Sequence, residues 1–180
     1  GIVHDRSSTG ATLFVEPGTV ICGDKHTLTT RGSLEMVGAY NNPVRVHSLF
    51  LVPGDANPAS HPFSVHVEYT SYHGGALRFD QRAANQVGTL RFRNNEVYGG
   101  QLTWTLKNPN PWMEFERNYV EHAVFEVGDT RGGELLMRFN NFGMWRFPMD
   151  GPLFRVVEGS FAARDNQFVG TSAGNGRVLE

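Results

Sequence analysis

The sequence predicts an all-β solenoid: one domain spanning residues 1–180, with parallel strands wound into about seven coils. Three observations predict it. An asparagine column, Asn95, Asn118, Asn140 and Asn166, recurs at spacings of 23, 22 and 26 residues, and Thr70 holds the same place 25 residues before Asn95. An identical apolar frame surrounds each copy. Five and three residues before the column stand Val65/Val67, Leu90/Phe92, Met113/Phe115, Leu135/Met137 and Phe161/Ala163, and two after it Tyr72, Val97, Val120, Phe142 and Phe168. Finally, Leu90-Arg91-Phe92-Arg93 and Met113-Glu114-Phe115-Glu116 alternate apolar with charged residues. That is the period of a half-buried strand; a helical repeat would place apolar residues at i, i+3, i+4 and i+7.

The elements follow in chain order. Leu13-Phe14-Val15 is echoed 21 residues on by Leu34-Glu35-Met36, which makes these the strands of the first two coils, and Val44/Val46 continue the second. An insert over 49–62 separates the second coil from the third. In later coils a second strand begins seven and nine residues after the column, at Leu77/Phe79, Leu102/Trp104, Phe125/Val127 and Phe147/Met149. The connecting stretches 81–88, 107–111, 129–133 and 150–159 vary in length and are rich in turn formers. Leu153, Phe154, Val156 and Val157 within the last of them predict a third strand. Coils stacked about 4.8 Å apart would let each Asn exchange amide hydrogen bonds with the next, an asparagine ladder. The alternative role for these residues is to supply left-handed backbone at a corner.

Val15-Glu16-Pro17-Gly18-Thr19-Val20-Ile21, then Gly32-Ser33-Leu34, then Asn42-Pro43-Val44-Arg45-Val46 join the Asn column in a recognisable pattern. In these residues the chain resembles the right-handed parallel β-helix family of secreted and surface proteins, the pectate-lyase-like superfold, over nearly its whole length. The resemblance implies an extracellular or cell-surface setting. It implies no single activity, because the family includes polysaccharide lyases, hydrolases, epimerases, adhesins and inert stalks. The calcium-binding Asp cluster of its lyases does not assemble here, since Asp80, Asp129 and Asp150 are scattered through turns. The paired aspartates that accompany the His-Gly signature of its hydrolases, and the Asp-Pro-His-Asp motif of its epimerases, are missing from the sequence.

Composition narrows the partners. A formal net charge of −2 and 19% charged residues are no footprint for nucleic acid. No apolar run reaches the roughly 18–20 residues that span a bilayer, so no membrane insertion is expected. Cys22 is the only cysteine, which rules out an intrachain disulfide and a thiolate metal cage. No phosphate loop, zinc spacing or nucleophile elbow occurs, and no cofactor is expected. The chain opens at Gly1, and Arg177-Val178-Leu179-Glu180 reads as the start of another coil. The expectation is a module of a longer protein, whose ends stack on neighbouring coils or subunits.

Candidate chemistry lies just after the column. Outward positions there read Ser71 and His73, then Glu96 and Tyr98, then Tyr119 and Glu121, with His122 adjacent. Glu96 and Glu121 differ by two residues and one coil, about 8 Å, a spacing that suits the acid and base of an inverting glycosidase. Glu96 and Glu121 are therefore the candidate catalytic pair, with His73, Tyr98, Tyr119, His122 and Trp145 as candidate glycan contacts and no metal ligands. Trp145 joins them because it stands where other coils carry Gly75, Gly100 or Ala123, as an exposed aromatic anchor would. The plain alternative is an ordinary polar sheet face. A second outward column, Glu68, Arg93, Glu116, Arg138 and Arg164, runs beside His66, Arg91 and Glu114. It predicts either cross-coil ion pairs or an arginine groove for an acidic glycan. Arg91 and Arg93 oppose any metal at His66 and Glu68. The leading expectation is a non-catalytic structural or adhesive module that binds a polysaccharide. The alternative is a carbohydrate-active hydrolase or lyase working through Glu96 and Glu121.

Overall fold

The computed structural model describes residues 12–29, 32–52, 63–81, 88–106, 112–128, 134–143, 154–156 and 160–169. Among these the chain is entirely β, with no helix. The first strands are β1 (Thr12–Val15), β2 (Val20–Cys22), β3 (Thr27–Thr29), β4 (Ser33–Val37) and β5 (Val44–Val52). Then come β6 (Phe63–Glu68), β7 (Thr70–Gln81), β8 (Gly88–Arg93), β9 (Glu96–Leu106), β10 (Trp112–Glu116) and β11 (Tyr119–Gly128). The last are β12 (Glu134–Arg138), β13 (Asn141–Gly143), β14 (Phe154–Val156), β15 (Ser160–Arg164) and β16 (Gln167–Val169).

Every pairing between strands is parallel, and two sheets result. The first runs β1-β4-β6-β8-β10-β12-β15 and the second β16-β13-β11-β9-β7-β5-β2, with β3 beside β5 and β14 beside β11. Apart from the consecutive pairs β2/β3 and β13/β14, successive strands alternate between the sheets, so the chain winds as a parallel β-solenoid. Register follows the repeat: Leu13 pairs with Leu34, Leu34 with Val65, Val65 with Leu90, Leu90 with Met113, Met113 with Leu135 and Leu135 with Phe161. Because side chains alternate faces with period two, this register sends every apolar column to one side. Leu34, Val65, Leu90, Met113 and Leu135 of the first sheet meet Val46, Tyr72, Val97, Val120 and Phe142 of the second, all buried. Each such side chain contributes roughly 1.5–3 kcal/mol. Phe92, Phe115, Phe142 and Phe168 continue the packing as stacked rings at 5.3, 5.8 and 4.9 Å.

Two corners recur along the solenoid. At the first, the residue before the column takes left-handed backbone: Tyr69, Asn94, Arg117, Phe139 and Asp165 have φ between 47° and 55°. The column asparagines themselves are not left-handed, so that alternative reading of their role fails. Asn95, Asn118 and Asn140 are buried and Asn166 is half-buried, and their amides are bonded in series: Asn118 Oδ1 accepts from Asn95, Asn140 Oδ1 from Asn118, and Asn166 Oδ1 from Asn140. The second corner lies within β5, β7 and β9, at Ser48, Gly74-Gly75 and Gly99-Gly100, where φ is again positive.

Two sequence expectations change. Residues 49–52 are not part of an insert: they extend β5, pairing with β3 and β7. The coil after β11 also has a different register. Phe125 and Val127 pair with Phe154 and Val156, so the stretch expected to form a third strand stands beside β11 in this ladder. Phe147, Met149, Trp145 and residues 177–180 lie outside the described residues.

Candidate functional site

The outer face of the second sheet carries two rows of side chains that the register aligns across coils. Arg45, Ser71, Glu96, Tyr119 and Asn141 form one row, and His47, His73, Tyr98, Glu121 and Gly143 the other. The alternating strand positions between them, Val46, Tyr72, Val97 and Val120, point into the core. Parallel stacking without offset brings like positions together, so the rings pile up. His47 lies 4.9 Å from His73 and His73 lies 5.1 Å from Tyr98, with planes within 16° of parallel; Tyr119 follows at 5.8 Å, tilted.

Three polar contacts run along the strands. Ser71 Oγ and His73 Nε2 are 2.9 Å apart. The Tyr98 hydroxyl donates to Glu96 Oε2 at 3.3 Å, and the Tyr119 hydroxyl to Glu121 Oε2 at 3.0 Å. Loss of hydration within the stack lowers the pKa of His73. Positive charge on His47 and Arg45 pushes the same way, and Glu96 partly opposes them. Loss of hydration, then the charge of Glu96, raises the Tyr98 hydroxyl, which keeps it a proton donor.

Beside these rows a groove of about 280 Å³ follows the first corner. The left-handed residues Tyr69, Asn94 and Arg117 form one bank, and Ser71, Glu96 and Tyr119 the other. Tyr40 and Pro43 close one end. They belong to the second coil, where the chain from Gly38 to Val44 projects as a loop in place of the tight corner. The loop's roots bond to the next coil, Gly38 N–H to Glu68 O at 2.8 Å and Val44 N–H to Tyr69 O at 3.1 Å.

The outer face of the first sheet is occupied by ion pairs. Glu114 is only 3% exposed although its strand position faces outward. Arg93 hydrogen-bonds to it, Arg138 reaches it at 3.2 Å, and Arg138 also holds Glu116 at 3.0 Å. Burial alone would raise the Glu114 carboxyl, but the Arg93 hydrogen bond and the charges of Arg93 and Arg138 hold it below the ordinary range. Arg93 and Arg138 are thus engaged by carboxylates of their own sheet, which removes them as the cradle of an acidic glycan. His66 Nε2 sits 3.0 Å from Glu68 Oε2, a direct pair. Among the described residues no group of three or more His, Cys, Asp or Glu could hold a metal ion, and no helix is long and apolar enough to cross a membrane.

No family model, curated protein or solved structure matches this chain. Of the site residues expected from sequence, Glu96 and Tyr119 line the groove. His73, Tyr98 and Glu121 stand in the adjoining row. For His122 only the backbone is described, in β11, and Trp145 lies outside the described residues. Sequence reasoning missed Tyr40, Tyr69, Asn94 and Arg117. The available signal was the position before each column residue, which is large or polar in every copy and breaks the apolar frame.

Proposed function

We propose that the chain is a non-catalytic structural or adhesive module of a secreted or surface protein, with a carbohydrate-binding face on the second sheet. In this reading it is a right-handed parallel β-helix of about seven coils whose spine is an asparagine ladder. The seven-stranded first sheet and the serial Asn bonds support that description.

One observation carries the non-catalytic part. Glu96 and Glu121 each accept a hydrogen bond from a tyrosine two positions away on the same strand. A glycosidase needs one carboxyl held protonated and the other ionised, which requires unlike surroundings. Here each carboxylate is tied by one oxygen to a tyrosine hydroxyl of its own strand, an arrangement that orients both for recognition. Such tyrosine–carboxylate pairs suit recognition of sugar hydroxyls, since each combines an acceptor with an aromatic surface.

The test is product release from plant, algal and bacterial polysaccharides by the folded protein. No new reducing ends and no unsaturated products are expected. Robust turnover that disappears in Glu121→Gln and persists in Arg138→Ala would overturn the proposal in favour of a hydrolase or lyase. Surface display is tested by protease shaving of intact cells of the source organism.

A further inference from the structure

The groove beside the first corner has features that define its occupant more narrowly. Tyr40 is 88% exposed, the most exposed large hydrophobic side chain among the described residues. It is nevertheless rigidly presented. Ala39 and Asn42 exchange backbone hydrogen bonds of 3.1 and 2.9 Å around it, and Asn42 O also accepts from Gly18 N–H at 3.1 Å. A turn pinned in this way presents the ring at the mouth of the groove with no backbone left to order when a ligand binds.

The floor offers side chains only. Around this corner the backbone donors are already used: Thr70 N–H binds Asn95 Oδ1, Asn95 N–H binds Asn118 Oδ1, and Tyr119 N–H binds Asn95 O. Asn94 N–H and Arg117 N–H bind the next coil's carbonyls. A peptide therefore finds no free strand edge to extend. The groove gathers no cationic cradle for a polyanion. Glu96 is an exposed carboxylate on one bank, while the Arg117 guanidinium on the other is bound by Glu116 at 2.9 Å and lies 5.6 Å from the Phe139 ring centre.

Polar groups repeat along the groove once per coil: Ser71, Glu96 and Tyr119 on one bank, Tyr69, Asn94 and Arg117 on the other. From Tyr40 to Tyr119 it crosses four successive coils, roughly 14 Å. That suits a linear polymer whose hydroxyl-bearing units recur at about the strand spacing, as pyranoses do in an extended chain.

The geometry points to this groove as the site for an uncharged, β-linked glycan lying parallel to the stacking axis, with Tyr40 as its end anchor and Glu96 and Tyr119 as hydroxyl partners. The inference rests on the carbohydrate-binding part of the proposed function and gives it a location and a ligand class.

Calorimetric titration with cellopentaose, mannopentaose and xylopentaose tests it, with pentagalacturonate as the charged comparison. Saturable binding of at least one neutral pentasaccharide is expected, weakened ten-fold or more in Tyr40→Ala and in Glu96→Gln. Phe50→Ala, which removes an exposed aromatic beyond the second corner, should bind as the parent does. Tyr40 lies outside the core, so its truncation leaves the fold intact, as a melt will verify. The inference falls if none of the three neutral ligands binds saturably, if both groove variants bind like the parent, or if pentagalacturonate binds more tightly. Binding at the groove followed by cleavage would sink the non-catalytic reading alone, whereas a blank titration with a blank turnover assay would sink the site alone.

Discussion

Asn118 Oδ1 accepts two hydrogen bonds from Asn95, one from its backbone N–H at 3.0 Å and one from its side-chain Nδ2 at 3.1 Å. The same bidentate relation joins Asn118 to Asn140 and Asn140 to Asn166. The remaining Nδ2 bond of Asn95, Asn118, Asn140 and Asn166 goes to a carbonyl of the first sheet, Val67, Phe92, Phe115 or Met137. Asn95, Asn118 and Asn140 can be buried because the polar groups of each amide are matched by its neighbours.

Asn118→Ala removes a member from the middle of that series. Asn95 loses the acceptor for two donors, and Asn140 Oδ1 and Phe92 O lose a donor. Denaturant melts should show a loss of about 1–3 kcal/mol. An unchanged midpoint would show that the serial amide bonds add nothing to stability.

The second corner separates two glycines that look equivalent in sequence. A Cβ on Gly75, where φ is +84°, would meet Leu49 O at 2.3 Å, whereas one on Gly74, where φ is +69°, would find nothing nearer than Ser48 Oγ at 3.8 Å. Gly74→Ala should therefore cost only the left-handed strain of about 1–2 kcal/mol. Gly75→Ala should cost distinctly more, because the backbone of the adjacent coil must also shift. Equal melting temperatures for the two variants would contradict the corner geometry.

Glu114 makes stability depend on acid pH. Its folded pKa lies below the ordinary carboxylate value, so its contribution is complete above that value and is lost as pH falls through the depressed one. Glu114→Gln should flatten this acid limb in a series of melts between pH 2 and 7. Its cost at neutral pH should fall between the roughly 0–1 kcal/mol of an exposed pair and the 3–5 of a fully buried one, because Arg93 and Arg138 still reach water.

His73 adds a pH dependence of the same sign in a higher window. Its depressed pKa means the folded state binds fewer protons than the unfolded chain just below pH 6.5, so stability rises with pH through that window. An NMR titration should place His73 below the ordinary histidine value. His47→Ala, which removes a stacked ring and its positive charge together, should move it upward. No change would show that the stack does not govern His73.

The apolar columns and the outward charges were legible in the sequence because period-two alternation leaves a strand no other way to bury Leu90 and Phe92 while exposing Arg91 and Arg93. The Asn column was legible because it recurs in that frame. Phe154 and Val156 were harder to place. Phe147 and Met149 satisfy the same hydrophobic rule, and hydrophobicity alone cannot choose between two apolar pairs of similar spacing.

Sequence by itself determined the parallel coil, its register through most of the chain, and the alignment of Glu96, Tyr98, Tyr119 and Glu121 on one face, since these follow from local alternation repeated at a near-constant interval. The partners of those outward groups depended on the assembled structure. Tertiary packing turned the two glutamates towards tyrosines of their own strands and enclosed Glu114 among arginines. It also set the Tyr40 turn at the mouth of a groove built from three later coils. Side-chain direction and the reach of a projecting loop depend on neighbours brought close only by the stacking of coils, and a repeat pattern carries no record of them.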